Sequence, residues 1–113
     1  MKTHELLNSE NHCRGNYSIR KEDGRFTSPR VGPNGRCDAY KFDICGALMH
    51  CYEDNNVVNN YLKLVDDTAR NTIKRVTKSS SGKDVEECYT GWVDFNDSAQ
   101  FPVIQEFLLK LDI

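Results

Sequence analysis

An α+β fold is the expectation for this 113-residue chain, with three main helices, the central one buried, and a small antiparallel β-hairpin or sheet beside it. Three observations predict it. The stretch Asp38–Tyr52, DAYKFDICGALMHCY, is the least polar run of its length and carries its apolar residues at helical spacing. Amphipathic stripes follow, one from Val58 to Val76 and one from Phe101 to Leu111. Asp23-Gly24 is a hairpin dipeptide, because glycine accepts the positive φ of a type I′ turn.

Length and charge bound the rest. The chain is long enough for one hydrophobic core and reads as a single domain over residues 1–113. A net charge of −2 gives no general attraction to nucleic acid or to anionic lipid. No apolar run approaches the roughly 20 residues that span a bilayer. MKTHELLNSE carries His4, Glu5 and Glu10 and has no apolar centre, so it does not read as a signal peptide. A cytoplasmic protein is therefore expected. Its five cysteines, at 13, 37, 45, 51 and 88, are then reduced thiols.

Taken in order, Lys2–Asn8 reads as a short helix anchored by Leu6 and Leu7. Tyr17 and Ile19 alternate with Ser18 and Arg20, so residues 16–21 should pair with 25–28 around the Asp23-Gly24 turn. Pro29, Gly32, Pro33 and Gly35 make 27–36 a loop, and Arg25, Arg30 and Arg36 make it basic. In the central helix, capped by Asp38, Ile44, Leu48 and Cys51 line one stripe and Cys45, Met49 and Tyr52 its neighbour. Asp43, Gly46 and His50 form a narrow polar stripe. Glycine in a helix interior costs about 1 kcal/mol against alanine, so Gly46 suggests a closely packed backbone or ligand there.

Asn55 or Asn56 should cap the next helix, of about 20 residues, whose outer face holds Asp66, Asp67, Arg70 and Lys74. KSSSGK is a flexible tip, and Asp84–Tyr89 reads as a short strand or a helical turn, the strand being favoured. Trp92, Val93 and Phe95 should pack on the central helix. Asp97 or Ser98 should cap the last helix, with Pro102 harmless in its first turn.

The segments HELLNS, RGNYSIRKEDG, FDICGAL and FND, in that order, resemble a family of small uncharacterised proteins of bacteriophages and bacteria. Its members often read W-x-x-G-x-x-A-R-D-x-x-G, then a helix with C-x-x-G-A-L, then W/F-N-D and a closing helix. Gly15, Arg20 and Gly24 match the first block. Cys45, Gly46, Ala47 and Leu48 match the second with a shortened C-to-G spacing, and Phe95, Asn96 and Asp97 the third. His12-Cys13 falls where the family's tryptophan stands, and the 30–36 loop is expanded. The family has no settled activity, so the resemblance implies a phage context rather than a mechanism.

No catalytic constellation emerges. There is no C-x-x-C or H-x-x-x-H, and adjacent residues on a helix diverge by about 100°, so His50 and Cys51 do not share an ion. No metal and no cofactor are expected. Cys37, placed at a helix start, is the best nucleophile candidate, with His12 or His4 as base. The leading expectation is a small phage-type protein that binds and inhibits or redirects a host protein, a defence component such as a CRISPR effector being one example. Its binding residues would be an acidic patch, either around Glu53, Asp54, Asp66 and Asp67 or around Glu86 and Glu87. One alternative is a small-ligand or nucleotide binder using Arg25, Arg30 and Arg36. Another is a Cys/His hydrolase. Direct nucleic-acid binding and membrane association are not expected, and a homodimer stays open.

Overall fold

The computed structural model describes all residues from Met1 to Ile113. It is an α+β structure of five helices and two separate two-stranded antiparallel sheets. In chain order these are α1 (Thr3–Leu6), β1 (Ser18–Arg20), β2 (Ala39–Phe42), α2 (Ile44–Cys51), α3 (Asn55–Arg70), β3 (Ile73–Lys78), β4 (Asp84–Cys88), α4 (Trp92–Ser98) and α5 (Phe101–Leu111). No helix is long and apolar enough to cross a membrane.

The central helix is shorter than its sequence suggests. Residues 39–42 form β2 against β1 in the register Ser18↔Phe42, Ile19↔Lys41, with Phe42 buried in the core. The pairing partner lies 20 residues away, so local spacing could not disclose it. Asp43, not Asp38, is the N-cap: its Oδ1 accepts from the Gly46 amide at 2.6 Å. From there Ile44, Cys45, Ala47 and Leu48 are all buried, so α2 is surrounded as expected. The Asp43–Gly46–His50 stripe is taken up inside the protein. Asp43 is a buried cap, whereas the His50 ring packs against Phe42.

Gly46 answers to a neighbouring backbone. A Cβ there would lie 1.8 Å from the Tyr17 carbonyl oxygen, which also accepts from the Asp43 amide at 3.1 Å. The loop entering β1 therefore rests directly on the first turn of α2. The Asp23-Gly24 turn forms, with Gly24 at φ 67°, and the hairpin is short: one bridge between Ile19 and Phe26, flanked by bonds from the Arg20 amide to the Arg25 carbonyl and from the Thr27 amide to the Ser18 carbonyl, on the β1 edge opposite β2.

Helix α3 is capped by Asp54 rather than by an asparagine, and it stops at Arg70. The apolar stripe continues on paper through Ile73 and Val76, yet both are exposed and lie in β3, paired with β4 in the register Val76↔Glu86, Thr77↔Val85. β-branched Thr72, Ile73, Val76 and Thr77 suit an extended chain, and the 84–88 strand supplies the partner. The strand over 84–88 matches its expectation. Helix α5 is capped by Gln100, not by Asp97 or Ser98, with Pro102 in its first turn.

One core unites the body: Phe42, Ile44 and Leu48 meet Val58, Val65 and Ala69 of α3, Phe95 of α4, and Ile104 and Leu108 of α5. Phe95 packs on Phe107 and on Tyr89, with ring centroids 4.3 and 5.0 Å apart. The β3–β4 hairpin stands apart from it. The molecule measures 61 × 30 × 18 Å, and its radius of gyration of 15.7 Å exceeds the value of about 13 Å for a compact chain of this length.

The Gly46 contact sets a stability test. On an ordinary helix G46A would stabilise by about 1 kcal/mol. Here the new methyl meets main chain that cannot rotate away, so G46A should destabilise by about 3 kcal/mol in urea unfolding. A neutral or stabilising result would refute the close packing of β1 on α2.

Candidate functional site

The most developed concave feature is a cleft of about 430 Å³ between the β1 entry loop, the Phe26 bridge, the start of α2 and helix α4. Gly15, Asn16, Tyr17, Phe26, Asp43, Trp92, Val93 and Asp97 line it. Its rim is apolar and exposed: Tyr17 is 47 %, Phe26 61 % and Val93 52 % accessible. The Tyr17 and Phe26 rings stand edge to face, 6.4 Å apart. Asp43, only 4 % accessible, sits at the base.

This arrangement is built by side chains far apart in sequence. Asn96 Oδ1 accepts from the Ile44 amide at 3.0 Å and from His12 Nε2 at 2.8 Å, while its Nδ2 donates to the Cys13 carbonyl at 3.2 Å and to Asp97 Oδ1 at 2.9 Å. Because the Ile44 amide can only donate, the amide orientation is fixed, and His12 must carry its proton on Nε2. Asp97 Oδ1 also accepts from the Gly15 amide at 3.1 Å. Arg14 donates to the carbonyls of Asn96, Asp97 and Ala99, satisfying the C-terminal end of α4. The blocks GNYSIRKEDG, CGAL and FND thus meet at this one place.

Its electrostatics are unusual. Burial pushes the Asp43 carboxyl up to about 7, against the opposing help of the Gly46 amide, and the nearby charge of Asp97 pushes the same way. Burial also drives the Cys13 and Cys45 thiols up to about 11, with Asp43 adding to both, so neither is a ready nucleophile. His12 is lowered, chiefly by its own burial.

The residues singled out from sequence lie elsewhere. Glu53 and Asp54 sit in the α2–α3 turn, where Asp54 accepts from the Asn56 amide. Asp66 and Asp67 lie twelve residues on, about 18 Å along α3. Glu86 and Glu87 are on β4. Glu53 and Asp54 are thus separated from Asp66 and Asp67 along α3, while Glu86 and Glu87 stand on their own strand. Asp66 binds Arg70 at 2.8 Å and accepts from the Trp92 amide at 2.8 Å, and Glu87 binds Arg75 at 2.5 Å. Asp94 was passed over, yet Lys74 at 2.7 Å and the Thr90 amide hold it down to about 2.

Nor do Arg25, Arg30 and Arg36 converge. Arg30 donates to the Tyr52 and Glu53 carbonyls and to Asn55, bracing the turn between α2 and α3. Arg25 and Arg36 are exposed. Cys37 is not at a helix start, and its nearest histidine is His50, neither His12 nor His4: Sγ lies 3.7 Å from Nδ1. That nitrogen donates to the Pro29 carbonyl at 2.7 Å, so it is not free to take the thiol proton. All five cysteines are free, and no three His, Cys, Asp or Glu side chains are grouped to hold a metal ion.

The sequence puts Asp43 on a polar stripe and Trp92 against the central helix, but it does not bring the two into one cleft with Asp97. The local signal was the spacing from Asp43 to Gly46, that of an N-cap to its N3 amide. The raised Asp43 acid has a measurable consequence. Its ordinary value is 3.8, so between about pH 4 and pH 7 the unfolded chain loses this proton while the folded chain keeps it. Stability from this group is full below pH 4 and falls as pH rises through 7, by roughly 4 kcal/mol at most. D43N mimics the protonated acid and retains the cap. With Asp97, Cys13 and Cys45 unchanged beside it, D43N should match the parent near pH 4 and exceed it in urea stability at pH 8. A stability difference that does not change with pH would refute the buried titration.

No family model, no curated protein and no solved structure matches the chain.

Proposed function

We propose that this chain is a non-catalytic interaction protein that binds a host protein and inhibits or redirects it, acting in the host cytoplasm as its resemblance to phage proteins implies. One observation carries this reading: the β3–β4 hairpin projects from the body with both outer strand edges unpaired. A two-stranded hairpin is marginal alone in water, and this one exposes Val76 and Val85 on opposite faces. It is anchored only at its base, where the Tyr89 amide donates to the Thr72 carbonyl and Lys74 binds Asp94. An open edge of this kind recruits an extended segment of another chain as a further strand.

Charge selects the segment. Strand β4, DVEEC, is acidic; Asp84 and Glu87 are paired to Lys78 and Arg75, whereas Glu86 has no ion partner. The occupant of the β4 edge is an extended basic segment of the host protein. Of the acidic residues read from sequence, Glu86 and Glu87 belong to this surface. The ligand-loop alternative finds Arg30 taken up by the α2–α3 turn, and in the hydrolase alternative the His50 nitrogen beside Cys37 already donates to the Pro29 carbonyl.

The test compares the tagged chain with a form in which residues 74–87 are replaced by a two-glycine turn, each checked for folding by circular dichroism. The full chain should retain one near-equimolar host protein through a salt wash, and the arm-less form should lose it. E86K should weaken the isolated complex by about tenfold. Equal retention by the arm-less form, or no retained partner at all, would overturn the proposal.

A further inference from the structure

The cleft beneath Phe26 is separate from the arm and has a chemistry of its own. Its eight lining residues include two carboxylates and no lysine or arginine. Arg14, beside Asn96 and Asp97, is committed to three carbonyls at the end of α4. Each carboxylate has one oxygen engaged: Asp43 Oδ1 takes the Gly46 amide, and Asp97 Oδ1 takes the Gly15 and Asn96 N–H groups. The Cys45 amide adds to the hold on the Asp43 carboxylate, and no side chain donates to the other oxygen of either acid. Around them stand Tyr17, Phe26 and Trp92, whose rings present electron-rich faces to a cation.

We propose that this cleft binds an alkylammonium group, the side chain of a lysine in a peptide or protein partner. Three features select it. The two carboxylates lack a lining counter-charge, so a cation relieves their repulsion as well as pairing with them. Each offers a single free oxygen, which suits a compact ammonium with independent donors better than the two-pronged fork of a guanidinium. The apolar rim matches a four-carbon stem, and the volume of about 430 Å³ falls within the usual range for a small-group site. The rigid frame of Asn96 and Gly46 holds both acids in place before the ligand arrives, so little ordering accompanies binding.

The decisive experiment titrates the full chain with Nα-acetyl-lysine methylamide, its norleucine counterpart and its arginine counterpart, followed by amide NMR and Trp92 fluorescence. The lysine compound should give saturable shifts centred on Gly15, Gly46 and Trp92, and the norleucine compound none. D43N should weaken the lysine compound at least about tenfold, and D97N less. Equal shifts with norleucine would leave only an apolar cleft and overturn the proposal, as would tighter binding of arginine. The comparison among the three compounds needs no variant, so a folding defect in D43N leaves it decisive.

Discussion

The side chain of Asn96 is the joint on which the body of this protein turns. A buried amide can make four hydrogen bonds, and this one makes all four. One satisfies the Ile44 amide, a first-turn donor of α2 with no partner inside its own helix. Two others seize His12 and Cys13, tying the segment before β1 to α4. Removing any partner would leave a buried polar group unpaired, at about 1–3 kcal/mol each. Because Asp97 follows Asn96 and Asp43 precedes Ile44, the same joint fixes the two carboxylates of the cleft.

Against that rigid body the β3–β4 arm follows a different economy. Its charges are sorted by strand, with Lys74, Arg75 and Lys78 on β3 and Asp84, Glu86 and Glu87 on β4. Within the hairpin this gives cross-strand pairs, Arg75 with Glu87 and Lys78 with Asp84, of modest value because they are exposed. Between two copies the effect reverses. A two-fold edge pairing sets β3 beside β3 or β4 beside β4, so like charges meet. The sorting resists self-association through the edges while leaving them open to a chain of other composition.

What the sequence disclosed and what it hid follow from how far each determinant lies from its partner. Burial of α2, the reason for Gly46, the 84–88 strand and the stripe of α5 were legible because local spacing carries them. The boundary inside 38–52 was not. Ala39–Phe42 runs into the helix with only the Asp43 cap between them, and pairing with Ser18–Arg20 makes it a strand. Ile73 and Val76 continued a helical stripe until a partner strand claimed them. The Asn96-Asp97 pair was visible but read as capping, since His12, Cys13 and Ile44 are 52 to 84 residues away. Arg30 looked like a ligand contact and proved to brace a turn.

Asp43 raises a sharper question than its place in the fold. As a helix cap, asparagine serves as well as aspartate. Capping therefore explains the residue's position but not its acidity. The acid adds a desolvation penalty that weakens the folded state near neutral pH, and no cation within the chain offsets it. That cost falls at the base of an aromatic-walled opening, which is why the proposed ammonium site centres on Asp43. The same logic separates Asp43 from Asp94, which is held down by Lys74 and Thr90 and stabilises the base of the arm. Two aspartates on one small body thus show opposite signs: one completed by its own chain, the other left to be completed from outside.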